Sequence, residues 1–288
     1  MDGSLVGLGT TSEKSRYHMN LTMHIFLQGC WVGRAVLKPA ADALLSLQDE
    51  VRHAFGWSEE ADELSASEMS QQFLKDAPYG CSEWESTTRH SALLKLKQSI
   101  CFAERLVVVG AGSESISVRD FPGALFVAAD GAVGAVDDLT KVLCVVSDGD
   151  GSGHLDRAAQ AGVHIVLHAH GDNHDVWVRL VEAWAQFEHP PHLTLTHQAN
   201  VELEGMHNPG GFTDGDRALC FILALGRSLE EIECVGFRTD VVGPWSGTTN
   251  PERKKRKLAW MKESMRRLGV EHHPVSYTHL TLPTISDV

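Results

Sequence analysis

The stretch LCVVSDGDG, Leu143 to Gly151, joins a continuous apolar run to a pair of acids spaced by glycine. An unbroken apolar run, rather than an alternating one, is the pattern of a parallel strand buried on both faces. The small and acidic residues that follow mark the carboxyl end of that strand. The same texture recurs in both directions along the chain. Upstream lie LVVVG (Leu106 to Gly110) and LFVAAD (Leu125 to Asp130). Downstream lie HIVLHAH (His164 to His170), LTLTHQ (Leu193 to Gln198) and IECVGF (Ile232 to Phe237). Leu155 to Ala161 and Val176 to Phe187, between these runs, read as helices. Strand and helix alternating in this way predict an α/β fold, a doubly wound, mostly parallel, Rossmann-like sheet.

The flanks divide the chain. Residues 1–99 read as an N-terminal, mainly helical subdomain, with AADALLSLQDEVRH (Ala40 to His53) and an acid-opened helix from Glu60 to Leu74 on which Leu64, Met69 and Phe73 fall near helical spacing. No chemical motif appears there, and the segment reads as a cover over one side of the core. Residues 100–274 read as the α/β catalytic domain. It closes with PERKKRKLAWMKESMRRL (Pro251 to Leu268), a basic helix carrying Leu258, Met261, Met265 and Leu268 on one face. VSYTHLTLPTISDV (Val275 to Val288) fits neither sheet nor helix. It resembles the translation of a sequencing adapter and is read as a foreign tail, while the residues up to about Tyr17 are read as disordered.

Composition excludes several classes. With 43% hydrophobic and 22% charged residues the chain is globular rather than disordered. A net charge of −13 argues against duplex nucleic acid as a partner, because phosphate binding needs a positive patch. No apolar run approaches the roughly 20 residues that span a bilayer, so no membrane partner is expected. Cysteines stand at 30, 81, 101, 144, 220 and 234 with no CxxC pair, which speaks against a zinc ribbon or a thioredoxin-type site. Met1 to Gln28 carries Asp2, Glu13 and Lys14 and lacks the apolar core of a signal peptide. A reducing, cytoplasmic setting is expected, and a homo-oligomer is left open.

Polar residues collect at the carboxyl ends of the runs, the edge at which open parallel sheets bind ligands. Gly110 and Gly112 follow the first run, and Asp130 ends the second. Asp148 and Asp150 end the third, His168, His170, Asp172 and Asn173 the fourth, and His197 and Gln198 the fifth. GAGSES (Gly110 to Ser115) reads either as a tight turn or as a glycine loop opening a helix, where Gly110, Gly112 and Ser113 would present amides to a phosphate. In SDGDG, Asp148 and Asp150 can face one cation. Mg²⁺ takes oxygen ligands of this kind and shares them with substrate phosphates; an Asx-rich turn is the plainer alternative. HAHGDN puts His168 and His170 on one side of an extended segment, suiting a transition metal or a phosphate. GGFTDGDRA (Gly210 to Ala218) reads as a glycine loop, Gly211 included, before a helix capped by Asp214 or Asp216, with Arg217 offering a guanidinium to phosphate. Lys254 and Lys257 share a helix face, which either stays solvated or closes over a triphosphate.

In this order the motifs resemble the archaeal 6-hydroxymethyl-7,8-dihydropterin pyrophosphokinase family. The matching pieces are the Gly110 loop, ADGA (Ala129 to Ala132), SDGDG, HAHGDN, THQ (Thr196 to Gln198), GGFTDGDRA, Gly236-Phe237 and the K-x-x-K-L pattern from Lys254 to Leu258. The resemblance runs from about Arg105 to Leu268, and HAHGDN with GGFTDGDR is its specific part. ADGA and the DxD pair also look like loops of thiamine pyrophosphokinase. Two departures stand out: Ser113-Glu114-Ser115 where the family tends to carry a Pro-Ser pair, and Gly149 where an apolar residue is usual.

The resemblance implies transfer of pyrophosphate from ATP to the pterin hydroxymethyl group with release of AMP. ATP and a pterin would be the small-molecule partners, Mg²⁺ the cofactor, and a tetrahydromethanopterin- or folate-type pathway the destination. It implies that Asp148 and Asp150 hold Mg²⁺, that Arg217 and Lys254 offset phosphate charge, and that His168, His170 or Asp172 orients or deprotonates the alcohol. Asp130 and Asn173 would touch the pterin or a second metal. Gly110, Gly112, Ser113, Gln198, Gly211, Asp214, Asp216 and Lys257 would complete the binding surface. Rival readings are a metal-dependent hydrolase, a sugar-nucleotide transferase of the motility-associated type and a non-catalytic nucleotide sensor. The enzymatic reading requires Asp148, His170 and Asp214 to meet at one edge of the sheet.

Overall fold

Each of the six apolar runs is a strand, and each carries Val, Ile or Thr, β-branched side chains that fit a pleated surface packed on both sides. The computed structural model describes residues 36–247 and 250–270. The strands are β1 (Arg105–Val109), β2 (Ala124–Ala129), β3 (Val142–Ser147), β4 (His164–Ala169), β5 (Leu193–His197) and β6 (Ile232–Val235). They form one sheet in the order β5-β4-β3-β2-β1-β6, parallel at every pairing. The chain therefore steps outward from β1 to β5 and then returns to lay β6 on the other side of β1. Strand order reverses between β1 and β6, which is where a doubly wound sheet opens its crevice.

The helices are α1 (Ala43–Phe55), α2 (Glu59–Phe73), α3 (Ser86–Phe102), α4 (Ser152–Gln160), α5 (His174–Trp184), α6 (Asp214–Leu225) and α7 (Pro251–Arg267). Val107, Phe126, Val145, Ile165 and Leu195 share one core cluster with Leu155 of α4 and with Trp177, Val181 and Trp184 of α5. Burying each such large side chain contributes about 1.5–3 kcal/mol. The intervening strand residues point the other way, and α6 packs against β1, β2 and β3. From Leu37 onward the described chain is one compact unit. Within it α1 packs on α7, α2 on β4 and the turn that follows it, and α3 on β3, β5 and α6. The five described cysteines are free thiols. Among the described residues no helix is long and apolar enough to cross a membrane.

The structure corrects the sequence reading at two places. GAGSES opens no helix: after β1 the chain turns, Ile116 bridges to Val136, and a single 3-10 turn (Val118–Asp120) leads to β2. The amides expected to cradle a phosphate are already committed. Gly110 N–H donates to Val235 O at 2.8 Å and Gly112 N–H to Gly236 O at 2.9 Å, both at the end of β6. Helix α3 went unread because its first turn, Ser86-Thr87-Thr88, is polar and β-branched, and no side chain caps its start. The N-terminal residues read as disordered, Cys30 and the tail from Val275 lie outside the described residues.

Candidate functional site

The site is assembled by turns that leave neighbouring strands at one edge. β2 ends in Asp130, whose φ of 49° is left-handed, a conformation that aspartate tolerates better than most side chains. This turns the carboxylate toward β3, where it accepts from the hydroxyl of Ser147. The same hydroxyl accepts from Gly149 N–H at 2.9 Å, closing the turn that carries Asp148 and Asp150. Gly149 sits at φ 97°, and a side chain there would meet Leu180 and Val176 at under 3 Å. The glycine that departs from the family pattern thus fits a left-handed turn seated against α5.

Carboxylate oxygens of Asp130, Asp148 and Asp150 lie within 4.8 Å of one another. A basic frame surrounds them. Arg217 Nη1 stands 3.3 Å from Asp214 Oδ1 and 3.8 Å from Asp148 Oδ2. His170 Nε2 stands 3.3 Å from Asp148 Oδ2. Its Nδ1 accepts from Asp172 N–H at 3.2 Å, so the ring hydrogen is on Nε2 and donates to Asp148. Asp148, His170 and Asp214 therefore meet at one edge, as the enzymatic reading requires.

Electrostatics follow from this crowding. Burial, then the charges of Asp214, Asp150 and Asp148, push Asp130 well above the ordinary carboxylate range. Burial and Asp148 push Asp214 up to about 7 against the pull of Arg217. Asp150, the solvent-facing member, is raised by partial desolvation and by Asp148. Asp148 alone goes the other way: burial opposes its charge, but the hydrogen bond from His170 and the charges of Arg217 and Lys257 hold it far below the usual range. One firmly ionised carboxylate surrounded by three reluctant ones is an arrangement that a divalent cation would relax. Asp148 Oδ1 is buried without a hydrogen-bond partner, which leaves it available as a ligand.

Beside this cluster, at the β1/β6 reversal, lies a cleft. Gly110, Gly112 and Gly236 line it, together with Asp130, Asp214 and Trp245 and with Lys254, Leu258 and Met261 of α7. Lys254 thus faces the cleft from α7. Lys257, one turn on, lies over Trp57 and Phe212, and burial lowers its pKa although Asp148 pulls the other way.

Other expected site residues hold the frame instead of lining the cleft. Asn173 donates to Asp148 O (2.7 Å) and His168 O (2.6 Å) and accepts from His170 N–H (2.8 Å), pinning the β3 and β4 ends together. Ser113 Oγ donates to Gly110 O at 2.8 Å. Asp216 is a buried cap that accepts from the backbone N–H of Phe212 and Thr213. Gly211, at φ 87°, packs on the backbone of Arg217. Asp172 pairs with Arg253 of α7 at 2.6 Å on the exposed rim. His168 is buried, with Nδ1 3.0 Å from Thr196 Oγ1 and Nε2 without a partner; burial, then Arg217 and His170, hold its pKa well below that of free imidazole. Gln198 bonds Asp62 and Arg217. Trp245, Arg238 and Gly243 line the cleft yet carried no sequence signal, since their segment after β6 has neither a strand nor a helix pattern.

No known family profile matches the chain. Among curated proteins it is similar to the 6-hydroxymethyl-7,8-dihydropterin pyrophosphokinase of Pyrococcus furiosus. The two are 34% identical over 183 residues, 59% of this chain and 74% of that protein.

Proposed function

The chain belongs to the 6-hydroxymethyl-7,8-dihydropterin pyrophosphokinase family, and from that membership we propose that it transfers pyrophosphate from ATP to 6-hydroxymethyl-7,8-dihydropterin with the help of Mg²⁺. The observation that carries the reading is the convergence of Asp130, Asp148 and Asp150 within 4.8 Å, at the edge of a cleft that Asp214 and Lys254 also line. An all-oxygen donor set with one orphaned carboxylate oxygen fits Mg²⁺. Those three aspartates would hold the ion. Its chemistry, when bound, is neutralisation of phosphate oxygens, which makes the β-phosphorus a better electrophile.

The chain's own residues account for the remainder. Lys254, on the cleft wall, and Arg217, against Asp148 and Asp214, supply positive charge for a triphosphate. The pterin oxygen attacks the β-phosphorus, the bond from that phosphorus to the bridging α,β oxygen breaks, AMP leaves, and the alcohol proton passes to solvent or a nearby base. A loose phosphoryl-transfer transition state asks mainly for alignment and charge. His170 and Asn173 serve that need by fixing Asp148. The product carries a diphosphate leaving group, which suits a later condensation in a tetrahydromethanopterin- or folate-type pathway.

Incubation with ATP, Mg²⁺ and the pterin should yield AMP and the pterin diphosphate in equal amounts. Asp148→Asn and Asp150→Asn should each lower kcat about a hundredfold or more. ADP in place of AMP would replace this reaction with single-phosphoryl transfer.

A further inference from the structure

Asp62 of α2 stands outside the cleft, yet its carboxylate begins a buried hydrogen-bond chain that ends at Arg217. Asp62 Oδ2 accepts from Gln198 Nε2 at 2.7 Å, and Gln198 Oε1 accepts from Arg217 Nη2 at 2.9 Å. Asp62, Gln198 and Arg217 are each only 4% exposed. The sense of the chain is forced. A carboxylate only accepts and a guanidinium only donates, so the amide between them must turn its nitrogen to Asp62 and its oxygen to Arg217. That leaves Arg217 Nη1 3.3 Å from Asp214 and 3.8 Å from Asp148. The second oxygen of Asp62 accepts from Gly171 N–H at 2.7 Å, next in sequence to the His170 that holds Asp148. Arg52 of α1 balances the charge, its Nη1 donating to Asp62 Oδ2 at 3.2 Å and to Gln198 O at 2.9 Å.

We propose that Asp62 is a positioning residue for the transfer reaction: it fixes the Gln198 amide, and through it aims the Arg217 guanidinium at the triphosphate. This rests on the function proposed above. Two strand-end segments and the start of α6 are thereby registered by one side chain from a helix that precedes the sheet in sequence.

The logic of donors and acceptors supplies the test. Asp62→Asn keeps size but not polarity. With its oxygen serving Gly171 N–H, its nitrogen confronts the Gln198 amide nitrogen. Gln198 must then flip and turn N–H groups toward a guanidinium that cannot accept them. ATP affinity, measured by calorimetry without pterin, and kcat/KM for ATP should each fall about tenfold to a hundredfold, with KM for the pterin unchanged. Gln198→Glu alone opposes two carboxylates and should lose a similar factor. The double variant D62N/Q198E restores an acceptor between two donors but leaves Arg52 Nη1 without its acceptor, and should recover ATP affinity and kcat/KM at least several-fold over either single variant. A purely structural role predicts losses in thermal stability, recovered by the same swap, with ATP affinity and kcat/KM of the folded single variants unchanged. The proposal is overturned if Asp62→Asn retains wild-type ATP affinity and kcat/KM, or if the double variant is no better than the worse single one. Wild-type protein that binds ATP but forms no AMP would sink the reaction while leaving the positioning role to be judged by ATP binding; wild-type protein that binds no ATP would sink both.

Discussion

A single methyl group separates Gly151 from a damaged cation site. A Cβ there would lie 2.5 Å from Asp130 Oδ1 and 2.8 Å from Gly131 N. The backbone φ of −68° suits any residue, so the approach to α4 tolerates alanine while the carboxylate does not. Gly151→Ala should cost about 1–3 kcal/mol as an overpacking change. It should also raise the Mg²⁺ concentration needed for half-maximal activity about tenfold or more, because Asp130 is pushed off Ser147. An activity titration against Mg²⁺ checks this, and an unchanged requirement would remove Asp130 from the ligand set. At this scale legibility follows sequence distance. Asp148 and Asp150, and His170 with Asn173, announce themselves because the members of each pair lie within three residues of one another. The Asp62–Gln198 bond spans 136 positions, and no local pattern reports it. The commitment of Gly110 and Gly112 to β6 depends on strand order, which the letters of the glycine loop do not carry.

Among elements, the six strands were legible because burial on both faces demands unbroken apolar runs, whereas their order, with β6 beside β1, was not. The basic helix α7 shows why a charge run resists reading. Its cations neither float in solvent nor all face the cleft. Arg253 and Lys257 lie over Trp57, 5.4 and 5.7 Å from the ring centre, Arg256 lies 4.5 Å over Phe55, and Lys257 also lies 5.9 Å from Phe212. Phe55 and Trp57 stack at 4.5 Å. Aromatic residues around the end of α1 thus clasp the helix that brings Lys254 to the cleft. Trp57→Ala removes two of these four contacts, worth about 0.5–1 kcal/mol each at exposed sites. Stability should fall by about 1–2 kcal/mol in denaturant unfolding. KM for ATP should rise several-fold while kcat stays within about twofold, since the aspartates are untouched. Trp57→Phe should keep most of both. A fall in kcat with an unchanged KM would detach α7 from nucleotide binding.

Across the whole molecule, burial of imidazoles sets the response to acid. His164 on β4 bonds Thr194 Oγ1 at 2.8 Å, and burial, with His192 nearby, lowers its pKa to about 3. Burial likewise brings His197 and His207 down to about 4. Below a pH of about 6.5 the unfolded chain takes up protons that these folded imidazoles refuse, so each contributes stability that is lost as pH falls toward its folded pKa. The aspartate cluster works in the opposite sense. Asp130, Asp150 and Asp214 have raised pKa values, so the folded state gains protons first and its stability is lost as pH rises. The net profile of the wild type mixes both slopes and assigns neither. A difference between two proteins isolates one group. His164→Asn removes one buried imidazole far along β4 from the carboxylates, and should be the less stable protein at neutral pH because it loses packing. Between about pH 6 and pH 4.5 the wild type then loses about 1.4 kcal/mol per pH unit that the variant does not, so the gap between them closes. Urea unfolding of both proteins at intervals across that range measures the gap. A gap that stays constant would mean that His164 takes up its proton in the folded state as readily as in the unfolded chain, and that the His164–Thr194 pair is not the desolvated neutral bond the sheet implies.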